Sequence, residues 1–470
     1  MLMFDIALIN IRLVDPVNAV NKKVSIAIDE GKIAELSEGP LVGKSKKELD
    51  MEGKVAVPGI IDIHTHVTNI FGGSEGGFFM LARAGVCTTL DMAGPTVTVF
   101  DTLARYGAGI NVAVLESIRP GVNLCSNDPS LNELRGFICS SMENAAVGCK
   151  LLGGHYPLTP ESSHDFVEAA ELENAYAAWH AGTTQGVNTI DSFRDLVILT
   201  DGHRLHAAHI NTYCRGLQLD EIMEAREAIA LLEKNPNIWS EAYLAQTNGI
   251  NFRLDEKGRL KSRATGQTLI QAGFEDSQQG IMNALHAGFA HVFAPRGIET
   301  GIYYGEEAVK LLLEYECDVA GGFDVNPPLS RLFTCLARRS DGSFAVDALS
   351  TDGGAIPRNV IVSHGLSLVN MEMLSLEDFV RKTSVAPAAM LGLKNKGQLG
   401  VGADADITVL DLEQCKPVMT MVGGNICMYA GLIIGSGGTI ITTERGKKAA
   451  SAFGLPLCIV EPSNFLPKRG

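Results

Sequence analysis

Short apolar runs alternate with runs of helical spacing from residue 59 to residue 395, and this alternation constrains the fold more than any other feature of the chain. VCTTLDMAG, INVAVLES, AAVGCKLLG, YAAWHAGTT, RLHAAHINT, NIWSEAYLAQ and VDALSTDGG each read as a strand. Helix-like segments fall between them, such as LDEIMEAREAIALLEKN from Leu219, whose apolar residues recur at helical spacing. A strand that returns through a helix to a parallel strand buries both faces of the growing sheet. Repeated along the chain, this predicts an α/β fold closed into a TIM-like (β/α)8 barrel. The segment from about Gly249 to Val346 exceeds one ordinary βα connection. It is expected to add helices, and with them a lid, near the site.

The two ends read differently. FDIALINIRLVD, VSIAIDEGKIAELSEG and ELDMEGKVAVPG alternate apolar and polar residues, with Glu-Gly-Lys turns in the second and third. The pattern returns in DADITVLDL, around Ile407 to Leu410, and in GTIITTERG after Gly438. Residues 1–58 and 396–470 are therefore expected to build one small β-sandwich domain together, with the barrel over 59–395 between them. The tail from Gly435 is expected to pack on that domain or on a neighbour. Hydrophobic residues make up 46% and charged residues 20%, a balance that suits a globular enzyme. At a net charge of −15, with no basic run long enough to follow a phosphate backbone, nucleic acid is excluded as a partner. No apolar run approaches the roughly 20 residues of a membrane span, so no membrane association is expected. MLMFDIALINIRLVD carries Asp5 early and alternates like a strand, unlike a signal peptide. The ten cysteines are scattered without a CxxC pair. A reducing, cytoplasmic location fits all of this.

Catalytic groups in such a barrel project from the C-terminal ends of its strands, so polar residues ending the apolar runs carry the functional signal. IIDIHTH places His64 and His66 on either side of Thr65. Residues two apart on a strand share a face, and two imidazoles aimed at one point suit a metal. His180 ends AYAAWHAG and His209 ends RLHAAHIN, where a satisfied core histidine is the ordinary alternative. His206, three residues before His209, should face the other side, and His203 suits a surface turn. Asp352 closes ALSTDGG, where a cap or turn aspartate is the alternative. Lys150 interrupts the apolar run VGCKLLGG. An unpaired ammonium there is costly. Either its head snorkels to water or burial holds it as a neutral, nucleophilic amine.

PGIIDIHTH, AGVCTTLDMAG, VAPAAMLGL and VGADADITVLD, with Lys150, His180, His209 and Asp352 in order between them, resemble the amidohydrolase superfamily over nearly the whole chain. The pattern is most similar to its binuclear branch of hydantoinases, dihydropyrimidinases, allantoinases and dihydroorotases. The resemblance implies two divalent metal ions. His64, His66 and Asp352 would hold the more buried ion, and His180 and His209 the second. Lys150, carboxylated by carbon dioxide to a carbamate, would bridge both, and the ions would share a hydroxide. Histidine and carbamate ligands suit zinc, and also manganese, iron, cobalt or nickel. The implied reaction opens a cyclic amide of the hydantoin, dihydropyrimidine or dihydroorotate kind, with Asp352 as general base and then acid. A homodimer or homotetramer acting on a small-molecule amide is the implied assembly.

Several positions depart from that branch. Tyr156, six residues after Lys150, is offset from the tyrosine that the resemblance implies at the oxyanion. His155 is the other candidate donor, and loop packing is the alternative for both. Arg358, in GGAIPRN, stands where it could bind a substrate carboxylate. HAGTT replaces an HAE-type sequence, and SEAYLAQTNG lacks the common histidine. These differences keep open an N-acyl-amino-acid deacylase, a heterocycle deaminase with one metal, and a non-catalytic dihydropyrimidinase-like scaffold. The six intact ligand positions argue against the scaffold, and Lys150 against the deaminase. Glu116 is a candidate for pocket lining or for packing, His286 and His291 for structural roles, and His364 for the pocket rim.

Overall fold

The computed structural model describes residues 3–68 and 75–469. Five strands open the chain: β1 (Met3–Asp15), β2 (Val20–Asp29), β3 (Lys32–Ser37), β4 (Lys44–Asp50) and β5 (Val55–Pro58). Seven parallel strands follow: β6 (Ile60–His66), β7 (Val86–Asp91), β8 (Ala108–Ile118), β9 (Gly148–Leu152), β10 (Tyr176–His180), β11 (Leu205–Ala207) and β12 (Ile238–Tyr243). An insertion carries β13 (Ile250–Asn251), β14 (Ala290–Arg296), β15 (Glu299–Tyr303) and β16 (Ala320–Phe323). The short strands β17 (Ala348–Ser350) and β18 (Gly353–Gly354) come next. β19 (Ile407–Asp411), β20 (Lys416–Val422), β21 (Asn425–Tyr429), β22 (Leu432–Ile433), β23 (Gly437–Thr442) and β24 (Leu457–Ile459) complete the set.

The barrel closes through β17 and β18, two halves of one broken strand. β17 pairs with β12 and β18 pairs with β6, both in parallel, so the seven preceding strands become a ring of eight. The break falls at Asp352, whose φ of 50° is left-handed, a conformation that aspartate tolerates better than most side chains. Every residue of β6, β7, β9, β10 and β12 is buried, which is why these strands read as near-continuous apolar runs. One set of side chains, including Ile61, Leu90, Leu115 and Tyr176, packs inside the ring, while Ile60, Val112, Leu151 and Trp179 pack outward under the helices.

Both ends of the chain do share one sheet. It has nine strands and runs β22-β21-β20-β19-β5-β1-β2-β3, with β4 beside β1. The junction is the antiparallel pair β5–β19, where Val409 faces Ala56. Leu8, Ile26, Met419 and Met421 form its separate core.

One sequence expectation is corrected here. GTIITTERG contains β23, which pairs with the barrel strand β8 through Thr439–Asn111 and Ile440–Val112, and not with the nine-stranded sheet. Period-two alternation marks a strand without saying which sheet edge receives it. The eleven-residue β8 outruns its neighbour β9, which pairs only from Leu115 onward, and β23 takes the free edge. The following tail enters the N-terminal end of the barrel. Phe465 packs on Tyr176, Pro467 O accepts a 2.9 Å hydrogen bond from Trp239 Nε1, and Arg469 pairs with Asp347 at 2.6 Å.

The insertion between β12 and β17 is also more than helices. β13–β16–β14–β15 form a four-stranded antiparallel sheet, joined by helices over Arg263–Gln271, Gln278–His286 and Gly305–Glu314. Phe252, Leu285, Val292, Leu312 and Phe323 give it a core of its own. Among the described residues, no helix is long and apolar enough to cross a membrane.

Candidate active site

The polar strand ends converge at the C-terminal mouth of the barrel. Thr65 turns outward to Thr89 Oγ1 at 2.7 Å, and its neighbours His64 and His66 share the inner face of β6. His66 Nε2 lies 2.8 Å and His64 Nε2 3.3 Å from Asp352 Oδ1. One ligand atom from each of these three side chains falls within 4.8 Å of the others. Asp62 fixes the relative position of the two strands that carry them. Its carboxylate accepts from Thr351 N and Thr351 Oγ1, and Asp352 N donates to His64 O at 2.8 Å.

Lys150 is fully buried on β9 and places Nζ 2.6 Å from His64 Nε2. Burial pushes its amine down to about 8, against the opposing pull of Asp352 and Glu241. The snorkelling alternative is therefore corrected: the head lies inside the barrel. The glycines that follow have a packing reason. A Cβ on Gly153 would meet Gly182 O at 2.3 Å, and one on Gly154 would meet His180 Nε2 at 2.4 Å.

His209 stacks on His64 with ring centroids 5.2 Å apart and meets His180 edge-on at 4.5 Å. Its φ of 34° turns the chain sharply after β11. His209 Nδ1 is buried with no partner among the described residues. His180 Nε2 lies 2.5 Å from Asn188 Oδ1, so an Nε2–H donor leaves Nδ1 with its lone pair. Burial holds His64, His180 and His209 well below the usual imidazole range, with neighbouring cationic groups acting in the same direction. Neutral imidazoles, one anionic carboxylate and a buried amine form a donor set that fits divalent metal.

Known sequences and solved structures are similar to this chain. Residues 271–427 match the family described as "Amidohydrolase family". The dihydroorotase of Methanothermobacter thermautotrophicus is 24% identical over 96% of this chain and 100% of its own length. That of Syntrophus aciditrophicus is 23% identical over 85% of this chain and 88% of its own. Over residues 271–427, and more distantly along most of its length, this chain is thus similar to amidohydrolases.

Two solved structures share the architecture of this chain. The N-acyl-D-glutamate deacylase of Bordetella bronchiseptica aligns with a TM-score of 0.64 at 13% identity, covering 93% of this chain and 99% of that one. A D-hydantoinase aligns with a TM-score of 0.58 at 15% identity and the same coverage. At these identities the likeness speaks for the fold.

The other candidate residues divide. His155 lines the cavity, its ring 6.0 Å from that of His180, and burial pushes its imidazole down to about 4. Tyr156 lies outside that cavity and faces an adjoining groove. Arg358 is buried, not superficial. Its Nη2 lies 2.5 Å from Asp352 Oδ2, its Nε donates to Asp352 O at 2.6 Å, and its Nη1 to Thr247 O at 3.2 Å. It is thus engaged by Asp352 instead of offering a free fork to a substrate acid. Burial alone would raise the Asp352 carboxyl, but Arg358, His64 and His66 outweigh it and hold the carboxyl well below its usual range.

His206 does not face away from the site. It lies inside the barrel, bonded through Nδ1 to Tyr176 Oη at 2.8 Å and 3.9 Å from Glu241. The chain leaves the strand after Ala207, so strand alternation does not extend to His209. Glu116 caps the helix Thr96–Tyr106 by accepting from Thr96 N and Oγ1, and His286, His291 and His364 lie outside the cavity.

Sequence reasoning missed Glu241, which sits at the centre of the candidate site. Its Oε1 accepts from His64 Nδ1 at 2.7 Å and from His209 N at 2.5 Å, and Ser350 Oγ donates to Oε2. The signal was present as one acid inside the wholly buried IWSEAY. Asn188 was also missed. It stands eight residues after His180 in a loop with no periodic pattern.

Proposed function

We propose that this protein is an amidohydrolase that hydrolyses the C–N bond of a small amide at a two-metal site held by His64, His66, Lys150, His180, His209 and Asp352. The convergence of His66, His180, His209, Lys150 and Asp352 on one cavity, with His64 packed against Lys150, Asp352 and His209, carries the reading. Zinc suits the donor set, and Lys150 joins it as a carbamate made from carbon dioxide. Bound metal would polarise the amide carbonyl and lower the pKa of water.

The chain supplies the rest. Asp352 directs Oδ1 into the cavity while Arg358 occupies Oδ2, so one oxygen is oriented to accept a proton from attacking water. The same carboxyl returns that proton to the leaving nitrogen. His155 stands over the cavity as a neutral imidazole able to donate to a developing oxyanion. Ile250, Ala264, Thr265 and Thr268 of the insertion roof the cavity and exclude water. A cyclic amide is the first substrate class, as in the dihydroorotase relatives. An acyclic N-acyl amide is the second, because the cavity continues past Leu152 and His155 into a groove that a compact ring would leave empty. A homo-oligomer in a reducing cytoplasm fits this reading.

Purified protein loaded with zinc, manganese or cobalt is expected to bind about two ions per chain and, across a panel of substrates, to open the ring of a hydantoin, dihydropyrimidine or dihydroorotate to a single ring-opened carboxylate or to split an N-acyl amino acid into carboxylate and amine. One ion with release of ammonia from a heterocycle would move the assignment to a deaminase, and binding of no ion would end the enzymatic reading. Glu241→Gln preserves an acceptor for His64 Nδ1 and a donor for Ser350. It is expected to weaken metal affinity by about 10- to 100-fold, the usual effect of removing a group that orients a ligand histidine. Chelator competition measures it, and an unchanged affinity would deny Glu241 this positioning role.

A further inference from the structure

Beside the cavity lies a second concavity whose lining differs in charge from the rest of the molecule. Arg119 comes from the loop after β8, Tyr156 from the loop after β9, and Arg253 and Lys261 from the insertion. Leu152 and His155 line both spaces, so the groove opens directly onto the candidate active site. No carboxylate is among the described residues that line it. The two acids paired with its cations stand outside the lining: Asp318 lies 2.6 Å from Arg253, and Glu116 is 3.7 Å from Arg119. Among the described residues, Arg119 Nε is buried without a partner, and Lys261 Nζ makes no ion pair.

We propose that this groove receives an anionic group, a carboxylate or a phosphate, on the part of the substrate that does not react. The inference rests on the amide-hydrolase reading and narrows its substrate class to acidic amides. A chain with net charge −15 repels anions at long range, so local cations have to supply any recognition. Arg119 and Lys261 offer N–H donors of the type that binds oxyanions most strongly. The apolar face of Tyr156 gives the intervening chain of the ligand a surface to lie on. Arg358 cannot serve the same purpose while Asp352 holds it. An anion fixed in the groove would orient an amide toward Asp352 and the histidines with binding energy gathered away from the reacting bond.

The probes are N-acetylglutamate α-amide, its phosphoserine counterpart and the neutral N-acetylglutamine α-amide, titrated calorimetrically into metal-loaded protein. The anionic probes are expected to bind about tenfold or more tightly than the neutral one, as charge-assisted hydrogen bonds would give. The tighter of the two anions identifies the group. Arg119→Gln combined with Lys261→Met is expected to abolish that preference while metal content and thermal midpoint stay unchanged. Equal binding of all three probes would overturn the proposal, and so would an anion preference that survives the double substitution. Groove-dependent anion binding in a protein that hydrolyses no amide would sink the amide reading alone. Hydrolysis without any anion preference would sink the groove alone.

Discussion

Lys150→Ala is expected to lose metal and to lower amide turnover by more than about a hundredfold, beyond the effect of removing a group that only supports a ligand. The lysine is fully buried and its Nζ lies 2.6 Å from His64 Nε2. An amine pushed down to about 8 is substantially neutral near that pH and can attack carbon dioxide. The new N–C bond forms, one proton leaves, and a cation becomes an anion with two ligating oxygens. Alanine leaves a cavity of about the size of the lost side chain, open to the histidines. Acetate or propionate added to the variant is therefore expected to restore part of the metal content and part of the rate. Lys150→Met, which fills that cavity, is expected to resist rescue. Normal metal content in Lys150→Ala prepared without added acids would show that the lysine holds no metal. Failure of rescue with the metal absent would leave it a ligand of another kind than a carboxylate.

Much of this site was legible because strands impose strict geometry. HTH flanked by apolar residues puts both imidazoles on one inner face, Lys150 lies within and His180 at the end of an apolar run that folds as a strand, and His209 stands just past the end of another. Glu241 was not legible for the same reason reversed. Its neighbours Trp239, Ala242 and Tyr243 are all buried, so the run reads as core, and only the structure shows three donors converging on its carboxylate. Arg358 depended on a left-handed residue at the strand break, which directs Asp352 O and Oδ2 to the same guanidinium. Tyr156 follows a glycine pair whose turn aims it away from the cavity, and no spacing rule encodes that direction. In the fold, alternation located β23, but the length difference between β8 and β9 decided which sheet received it.

Asp352→Asn is expected to retain metal and lower kcat by about 10²- to 10⁴-fold, the range for a lost general acid–base group. Its carboxyl divides its two oxygens between the histidines and a cation: Oδ1 faces His66 at 2.8 Å and Oδ2 faces Arg358 at 2.5 Å. Asparagine keeps one oxygen for that first contact but cannot accept and return a proton. It also leaves the Arg358 charge buried without its counter-ion, with only Asp352 O and Thr247 O as acceptors. Removing one partner of a buried pair costs about 3–5 kcal/mol, so the single variant should melt at lower temperature as well. The two losses separate in Asp352→Asn combined with Arg358→Met. That protein should recover much of the thermal midpoint, because no unpaired charge remains, yet none of the turnover, because no proton acceptor has returned. Recovery of both together would mean that the single variant failed through folding and that Asp352 carries no proton. A near-normal kcat in folded, metal-loaded Asp352→Asn would also take the proton away from Asp352, and it would then have to pass through His155 or solvent.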